Sequence, residues 1–447
     1  MKKFNQIVLL FMVLMAASCK KFLDVKPLET VSDEQTIVDQ VSAEEAVRGI
    51  YNALAADNYY GTGFQSIGYL SGDNIQWTGS QSQIQEFINH KVSAENSTIS
   101  GAWSAIYTSI NRANQVLSKV PGVTDPLLTE DLKNQYLGVA YFTRALAYFD
   151  LARTWGGVPL ITSPTQSYKD NSGIARSTQQ ETYAQVLNDL DAAEPLLPET
   201  TDRYRGTRKT VWALKARYYL YNEDWVNAVD YSAKVIEDSS NYQLPAPFSA
   251  FFADGVKGTN ESVFEIFYDG VTEINSHRGQ WQPQTNGGTR QWAPNDELVQ
   301  LLTDSATGGG RGTLIAKDNQ GRWFGNLYYR TPASDPSYII RIAELYLIRA
   351  EANARLNNVS EALRDLNAVR DRAGLTGSLA TTADEILLAI ENERRLEFAL
   401  EPHRWFDLVR TGRAEQVLGI TDPGRLLMPL PSQQLEVDEA LKQNEGY

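Results

Sequence analysis

One cysteine, three histidines and four methionines are all that this 447-residue chain has of the softer metal-binding side chains. A lone thiol forms no intramolecular disulfide and builds no cysteine metal site. His90, His277 and His403 are scattered, which leaves a histidine cluster nothing to build on. Long apolar runs are missing as well. The longest, Ile7 to Ala17, is about a dozen residues, against the roughly 20 needed to span a bilayer. No stretch is rich in Lys and Arg, and the net charge is −14, so nucleic acid phosphates are repelled. There is no G-x-S-x-G, H-E-x-x-H or Walker loop, and no G-x-G-x-x-G between strand and helix. Nothing points to catalysis, and no enzyme activity is expected.

The one cysteine stands at a telling place. Met1-Lys2-Lys3 is a short positive segment, Ile7 to Ala17 is apolar, and the small residues Ala16-Ala17-Ser18 directly precede Cys19. This is a secretion signal over residues 1–18 that ends in a lipobox-like site, where Cys19 is lipidated and becomes the new N-terminus. Several acyl chains would then anchor the protein stably without spanning the membrane. Removing residues 1–18 takes away Lys2 and Lys3 and no acid, which moves the charge from −14 to −16.

What is present is helical periodicity and aromatic residues. From Ser42, SAEEAVRGIYNALAAD has Glu45 three residues after Ser42, the spacing of a capping box, with Val47, Ile50, Tyr51 and Leu54 at helical spacing. A second helix is predicted from about Gly101, with Trp103, Ile106, Ile110, Ala113 and Leu117 on one stripe. The stretch NYYGTGFQSIGYLSGDNIQWTGSQSQ between them reads as loop with exposed rings. Ala216 and Ala228 lie twelve residues apart, as do Ala350 and Ala362. Small residues at that interval let antiparallel helices touch, as in tetratricopeptide repeats. Two less regular pairs are expected, Tyr136 to Trp155 with Tyr183–Leu190, and Ile386 to Leu400 with Trp405–Leu408. The expected fold is therefore mainly α, a helical-repeat scaffold over 31–244 and 337–447. An irregular insertion of loops and short strands at about 245–336 interrupts it, with one helix capped by Asn295.

Glycoside hydrolysis needs two carboxylates facing each other about 5 to 10 Å apart. The densest acidic cluster, Glu391, Glu393, Glu397 and Glu401, is interleaved with Arg394 and Arg395 and reads as ion pairs along a helix. Sugar binding asks for flat rings that stack on C–H faces and planar polar groups that fix hydroxyls. Trp103, Trp212, Trp225 and Trp405 lie on helical stripes and are assigned to packing, as is Trp155. Trp77, Trp281, Trp292 and Trp323 stand in loop-like, polar surroundings. With Asn74 and Arg290 beside them, they are the candidate glycan contacts. No cofactor is expected; loop Asp and Asn residues leave a structural calcium site open without any spacing that specifies one.

Six motifs in order carry a resemblance over nearly the whole length: CKKFLDVKP, RALAYFDLARTWGGVPLI from Arg144, RIAELYLIRAEA from Arg341, ALRDLNAVRDRAGL from Ala362, ENERRLEFALEPHRWFDLVRTG from Glu391, and the ending LMPLPSQQLEVDEALKQNEGY. On these the chain resembles the SusD/RagB family of surface glycan-binding lipoproteins. Two departures are a stretched Asp304-SATGGG-Arg311 and Asp438-Glu439 where Asn-Pro is common. The resemblance implies a tetratricopeptide scaffold with a variable insertion, and ring-stacking residues in the loop after the first helix and in the insertion. It also implies a Gram-negative outer-membrane, cell-surface location and capture of oligosaccharides for a SusC-like TonB-dependent transporter, over which the protein sits as a hinged lid. A RagB-like peptide binder on the same scaffold is the alternative.

Overall fold

A computed structural model describes residues 36–167 and 170–447. Cys19, the signal segment and the CKKFLDVKP motif lie outside the described residues.

The first helix, α1 (Gln40–Ala55), is capped by Asp39, whose carboxylate accepts the Ser42 N–H at 2.8 Å, while the Ser42 hydroxyl accepts the Asp39 N–H at 3.0 Å. The box thus starts three residues earlier than Ser42 and Glu45 suggest, because extended Asp39 offers the better acceptor; Glu45 turns instead to Arg48. The following stretch corrects the expectation of a loop with exposed rings. A π-helical turn, Asp57–Gly61, leads into α2 (Gly63–Leu70), and Tyr59, Tyr60, Phe64 and Tyr69 are buried. Burial is affordable because the Tyr59 and Tyr60 hydroxyls donate to buried Asp150 at 2.9 and 2.5 Å.

Long helices follow: α3 (Ser97–Lys119), begun earlier than Gly101 because Asn96 caps it, α4 (Glu130–Trp155), α5 (Gln179–Leu196), α6 (Arg208–Tyr221) and α7 (Trp225–Ile236). After a region of short elements that includes α8 (Asp296–Thr303) come α9 (Ile342–Arg355), α10 (Val359–Arg372), α11 (Ala383–Glu397) and α12 (Arg404–Arg410). The architecture is mainly α, with α4 on α5, α6 on α7 and α9 on α10 as neighbouring pairs. Ala216, Ala228, Ala350 and Ala362 are fully buried, the close approach that small residues permit. The fourth expected pair is looser: α11 packs chiefly on α9 and α10, while Phe406 of α12 stacks on Phe64 of α2 at 6.1 Å. Trp103, Trp155 and Trp405 are buried, and Trp212 and Trp225 keep one side in solvent.

Among the described residues, six short strands complete the fold: β1 (Ile75–Trp77), β2 (Ser262–Ile266), β3 (Trp292–Pro294), β4 (Ile315–Lys317), β5 (Trp323–Gly325) and β6 (Ser337–Arg341). They form three antiparallel ribbons, β1 with β3, β2 with β6 and β4 with β5. Among the described residues no helix is long and apolar enough to cross a membrane.

The acidic cluster of α11 and the turn after it is structural, as expected, but its partners are not those that its spacing suggests. Arg394 turns to Asp407 at 2.8 Å, and Arg395 to Glu297 at 2.8 Å and Asp73 at 3.2 Å. Glu397 and Glu401 are instead reached from the far side of the chain by Arg341 at 2.8 and 2.6 Å, and Glu393 and Glu397 by Arg311 at 2.5 and 2.9 Å. Arg341 and Arg372 also hold Glu261, at 2.7 and 2.8 Å. The long-range pairs win because these carboxylates face the interior, where a charge needs a fixed counter-charge. Arg311 reaches this lattice across the stretched Asp304–Arg311 segment.

Candidate functional site

Two of the ribbons meet at one edge, and the predicted ligand residues divide there into a floor and a surface. The floor is aromatic and closed. Trp281 is fully buried, and Trp292 is nearly so. Their rings lie 5.7 Å apart, and Tyr69 sits 5.4 Å from the first and 5.2 Å from the second. Gly325 lets β5 press onto this floor: a Cβ there would stand 2.5 Å from Cε3 of Trp281. His277 completes it, stacked on Tyr328 at 4.5 Å. Burial pulls its pKa down to about 3, so it is neutral. Asn275 donates through Nδ2 to the Asp335 carbonyl, so its Oδ1 faces the imidazole at 2.8 Å and His277 Nδ1 carries the proton.

Trp281 and Trp292 are therefore corrected from ligand contacts to packing residues, since a ring enclosed on both faces cannot stack on a sugar. Asn74 is corrected as well. It is buried, its Oδ1 accepting from Arg395 Nε at 2.8 Å and its Nδ2 donating to the Arg395 carbonyl at 3.2 Å. Asn74 and Asp73 thereby fasten β1 to α11, because Arg395 also bonds Asp73.

The surface is formed by Trp77, Arg290 and Trp323, all half-buried. Trp77 ends β1 directly opposite Trp292, so the two share a face of the ribbon. Its ring lies against Gly79, where a Cβ would come within 2.3 Å of Cζ2. The Thr78 hydroxyl donates to the Arg290 carbonyl at 2.6 Å, and Arg290 Nε donates to the Trp323 carbonyl at 2.8 Å. These two bonds link β1 to β5 through Arg290, joining the strand ends that carry Trp77 and Trp323. Arg290 has a left-handed backbone, φ 49°, a conformation rare outside glycine and frequent at binding sites. Burial, with Arg322 nearby, pulls its pKa down from the ordinary arginine value.

Lys317 was not among the sequence candidates. It lies opposite Trp323 in the β4–β5 ribbon and holds its ammonium 4.6 Å from the ring centroid. The signal was present in IAKDNQGRWFG, where Asp318 and Gly321 make the reversal: the Gly321 N–H donates to the Asp318 carbonyl at 3.0 Å, with φ 78° at Gly321. Such a turn places the residues on either side of it opposite each other. Among the described residues, no group of three or more His, Cys, Asp or Glu side chains is placed to hold a metal ion. A cleft of about 650 Å³ lies elsewhere, between residues 89–95 and the C-terminal segment, but none of its lining residues is a tryptophan.

Comparison with known proteins agrees along the chain. Residues 21–220 match the SusD-like family described as "Starch-binding associating with outer membrane", and residues 325–425 match the SusD family. SusD-like protein P38 of Formosa agariphila is 27% identical, with all of both chains aligned. A SusD-like protein of Bacteroides ovatus is 26% identical over 89% of this chain and 80% of its own. A solved SusD superfamily structure from Bacteroides vulgatus superposes with a TM-score of 0.82 at 21% identity, over 92% of this chain and 99% of that one. A laminarin-binding SusD-like protein does so with a TM-score of 0.80 at 24% identity, over 92% and 100%. At these identities the two structures establish the fold.

Proposed function

The chain belongs to the SusD/RagB family, and from that premise we propose that it is a surface glycan-binding protein whose ligand docks at the edge formed by Trp77, Arg290 and Trp323. The observation that carries this reading is the pair of half-buried tryptophans whose strands are joined by hydrogen bonds through a half-buried arginine. A sugar stacks its C–H face on such rings while the guanidinium donates to its hydroxyls. The family description as starch-binding and the laminarin-binding neighbour support the same ligand class.

The captured oligosaccharide is passed to a SusC-like TonB-dependent transporter of the outer membrane, with the protein held at the cell surface by lipid on Cys19. The apolar segment and small residues before Cys19 support the anchor, and the family description as associating with the outer membrane supports the location.

The test is binding of the mature chain to panels of glycans and of peptides, repeated with Trp77→Ala and Trp323→Ala. Binding to an oligosaccharide that both variants weaken is expected. Binding to peptides alone would replace this reading with the peptide-binding alternative. For the anchor, Cys19→Ala is expected to leave a folded protein that no longer fractionates with membranes or takes up labelled fatty acid. A variant that still behaves as a lipoprotein would refute that part.

A further inference from the structure

The chain as a whole carries a net charge of −14, yet the rim of the tryptophan edge is cationic. Arg290, Lys317 and Arg322 surround Trp323 through a backbone hydrogen bond, a ring contact and the turn that precedes it. The acid beside them, Asp318, is already engaged: Arg322 holds it at 2.8 Å, and the N–H groups of Gln320 and Arg322 donate to it, each at 2.9 Å. Among the described residues neither Arg290 nor Lys317 has an ion-pair partner. Arg290 spends only its Nε within the protein, on the Trp323 carbonyl, so both of its terminal amino groups are left for a ligand. Its position is fixed, since its N–H donates to the Gln282 carbonyl at 2.8 Å and its carbonyl accepts from Thr78.

Lys317 adds a steric and electrostatic condition. Its side chain is exposed, and its ammonium caps one face of the Trp323 ring, an attraction worth little enough at an exposed site that a ligand can compete with it. A neutral sugar stacking on that face has to displace the cation and gains nothing from it. A sugar bearing an anionic substituent turns the same cation into a counter-charge held at ring height, where a charge-assisted hydrogen bond adds to stacking.

We propose that the edge is built for an acidic glycan, an oligosaccharide carrying carboxylate or sulfate groups, with Lys317 and Arg290 as its counter-charges and Trp77 and Trp323 as its stacking surfaces. This rests on the glycan-binding reading above and narrows it.

The experiment is calorimetric titration of the mature chain at low and high salt with an oligoglucuronate, its carboxyl-reduced neutral counterpart, a sulfated galactan oligosaccharide and laminarin. At least one acidic probe is expected to bind about tenfold more tightly than the neutral ones, with that advantage shrinking as salt screens it. Which acidic probe gains decides between carboxylate and sulfate. Lys317→Gln is expected to reduce the preference without weakening the reduced probe and, at an exposed position, to leave the melting temperature unchanged; Arg290→Gln, which removes a hydroxyl donor as well as a counter-charge, is expected to weaken both probes and the acidic one more. Equal affinity for acidic and reduced probes at both salt levels overturns the inference and leaves the glycan-binding reading standing. Binding to none of the four overturns the acidic-glycan inference, and if peptides bind instead it overturns the glycan-binding reading with it.

Discussion

Four tryptophans that look alike in the sequence have two fates. Trp77 and Trp323 are half-buried, so on the proposed reading truncation to Ala should remove a contact worth about 1 kcal/mol each, a severalfold loss of glycan affinity, with little change in stability. Trp281 and Trp292 lie in the closed floor, so Trp281→Ala or Trp292→Ala is expected to cost about 3 to 5 kcal/mol and to lower the melting temperature clearly. Thermal melts beside binding curves separate the two classes; a Trp281 variant that melts normally would contradict the floor. Gly79→Ala offers a subtler check, since the added Cβ would stand 2.3 Å from the Trp77 ring and must push it away. Binding should then weaken as in Trp77→Ala although every tryptophan is present. Sequence could not tell these fates apart. RGQWQPQ and QGRWFGN have the same mixture of Gly, Gln and Arg, and what buries Trp281 is Gly325, more than forty positions away.

At the scale of elements, legibility followed sequence distance. The pairs α6–α7 and α9–α10 join neighbours through short connections, so buried alanines twelve residues apart were enough to reveal them. The α8 cap was equally local: Asn295 Oδ1 accepts the Leu298 N–H at 2.9 Å. Its Nδ2 also donates to the Asp73 carbonyl at 2.9 Å, so Asn295→Ala should cost about 1 to 2 kcal/mol, read as a shift in denaturant midpoint. Ala350→Leu tests the helix contact itself. Overpacking α9 against α10 is expected to destabilise by about 1 to 3 kcal/mol, whereas an unchanged midpoint would mean that the two helices have room between them. The β1–β3 ribbon was illegible, because strands of three residues carry no usable alternation. The ring-rich stretch around Tyr59 to Tyr69 misled for a related reason: its helix is stabilised by Asp150 and by distant rings rather than by a local pattern.

At the scale of the whole molecule, the charge lattice around Glu397 joins the inserted region to the last helices. Burial would raise the Glu397 carboxyl, but Arg372, Arg311 and Arg341 outweigh it and bring the pKa down to about 2, from an ordinary 4.5. A carboxylate held below its ordinary value stabilises the fold above pH 4.5, and that stability is lost as pH falls from 4.5 toward 2. Glu401 is shifted the opposite way, upward, by burial, so protonating it on acidification offsets part of the loss. Melting temperatures should therefore drop steeply below pH 4.5. Glu397→Gln should be weaker at neutral pH by about 3 to 5 kcal/mol, and its curve should be flatter across that acid range. An unchanged slope would place the acid sensitivity elsewhere.

The ribbon of β1 and β3 also sets an order in time. Gln76 bonds the carbonyl of Pro294, 218 positions later in the chain. At ribosomal speeds of about 5 to 20 residues per second, the first half of the proposed edge waits roughly ten to forty seconds for the second to be made. A nascent or truncated chain that stops before Trp292 has Trp77 but neither its cross-strand partner Trp292 nor Trp323. On the proposed reading, recognition is thus withheld until synthesis has passed Trp323 of the 447 residues, and a copy cut short before then has no assembled edge with which to take a ligand.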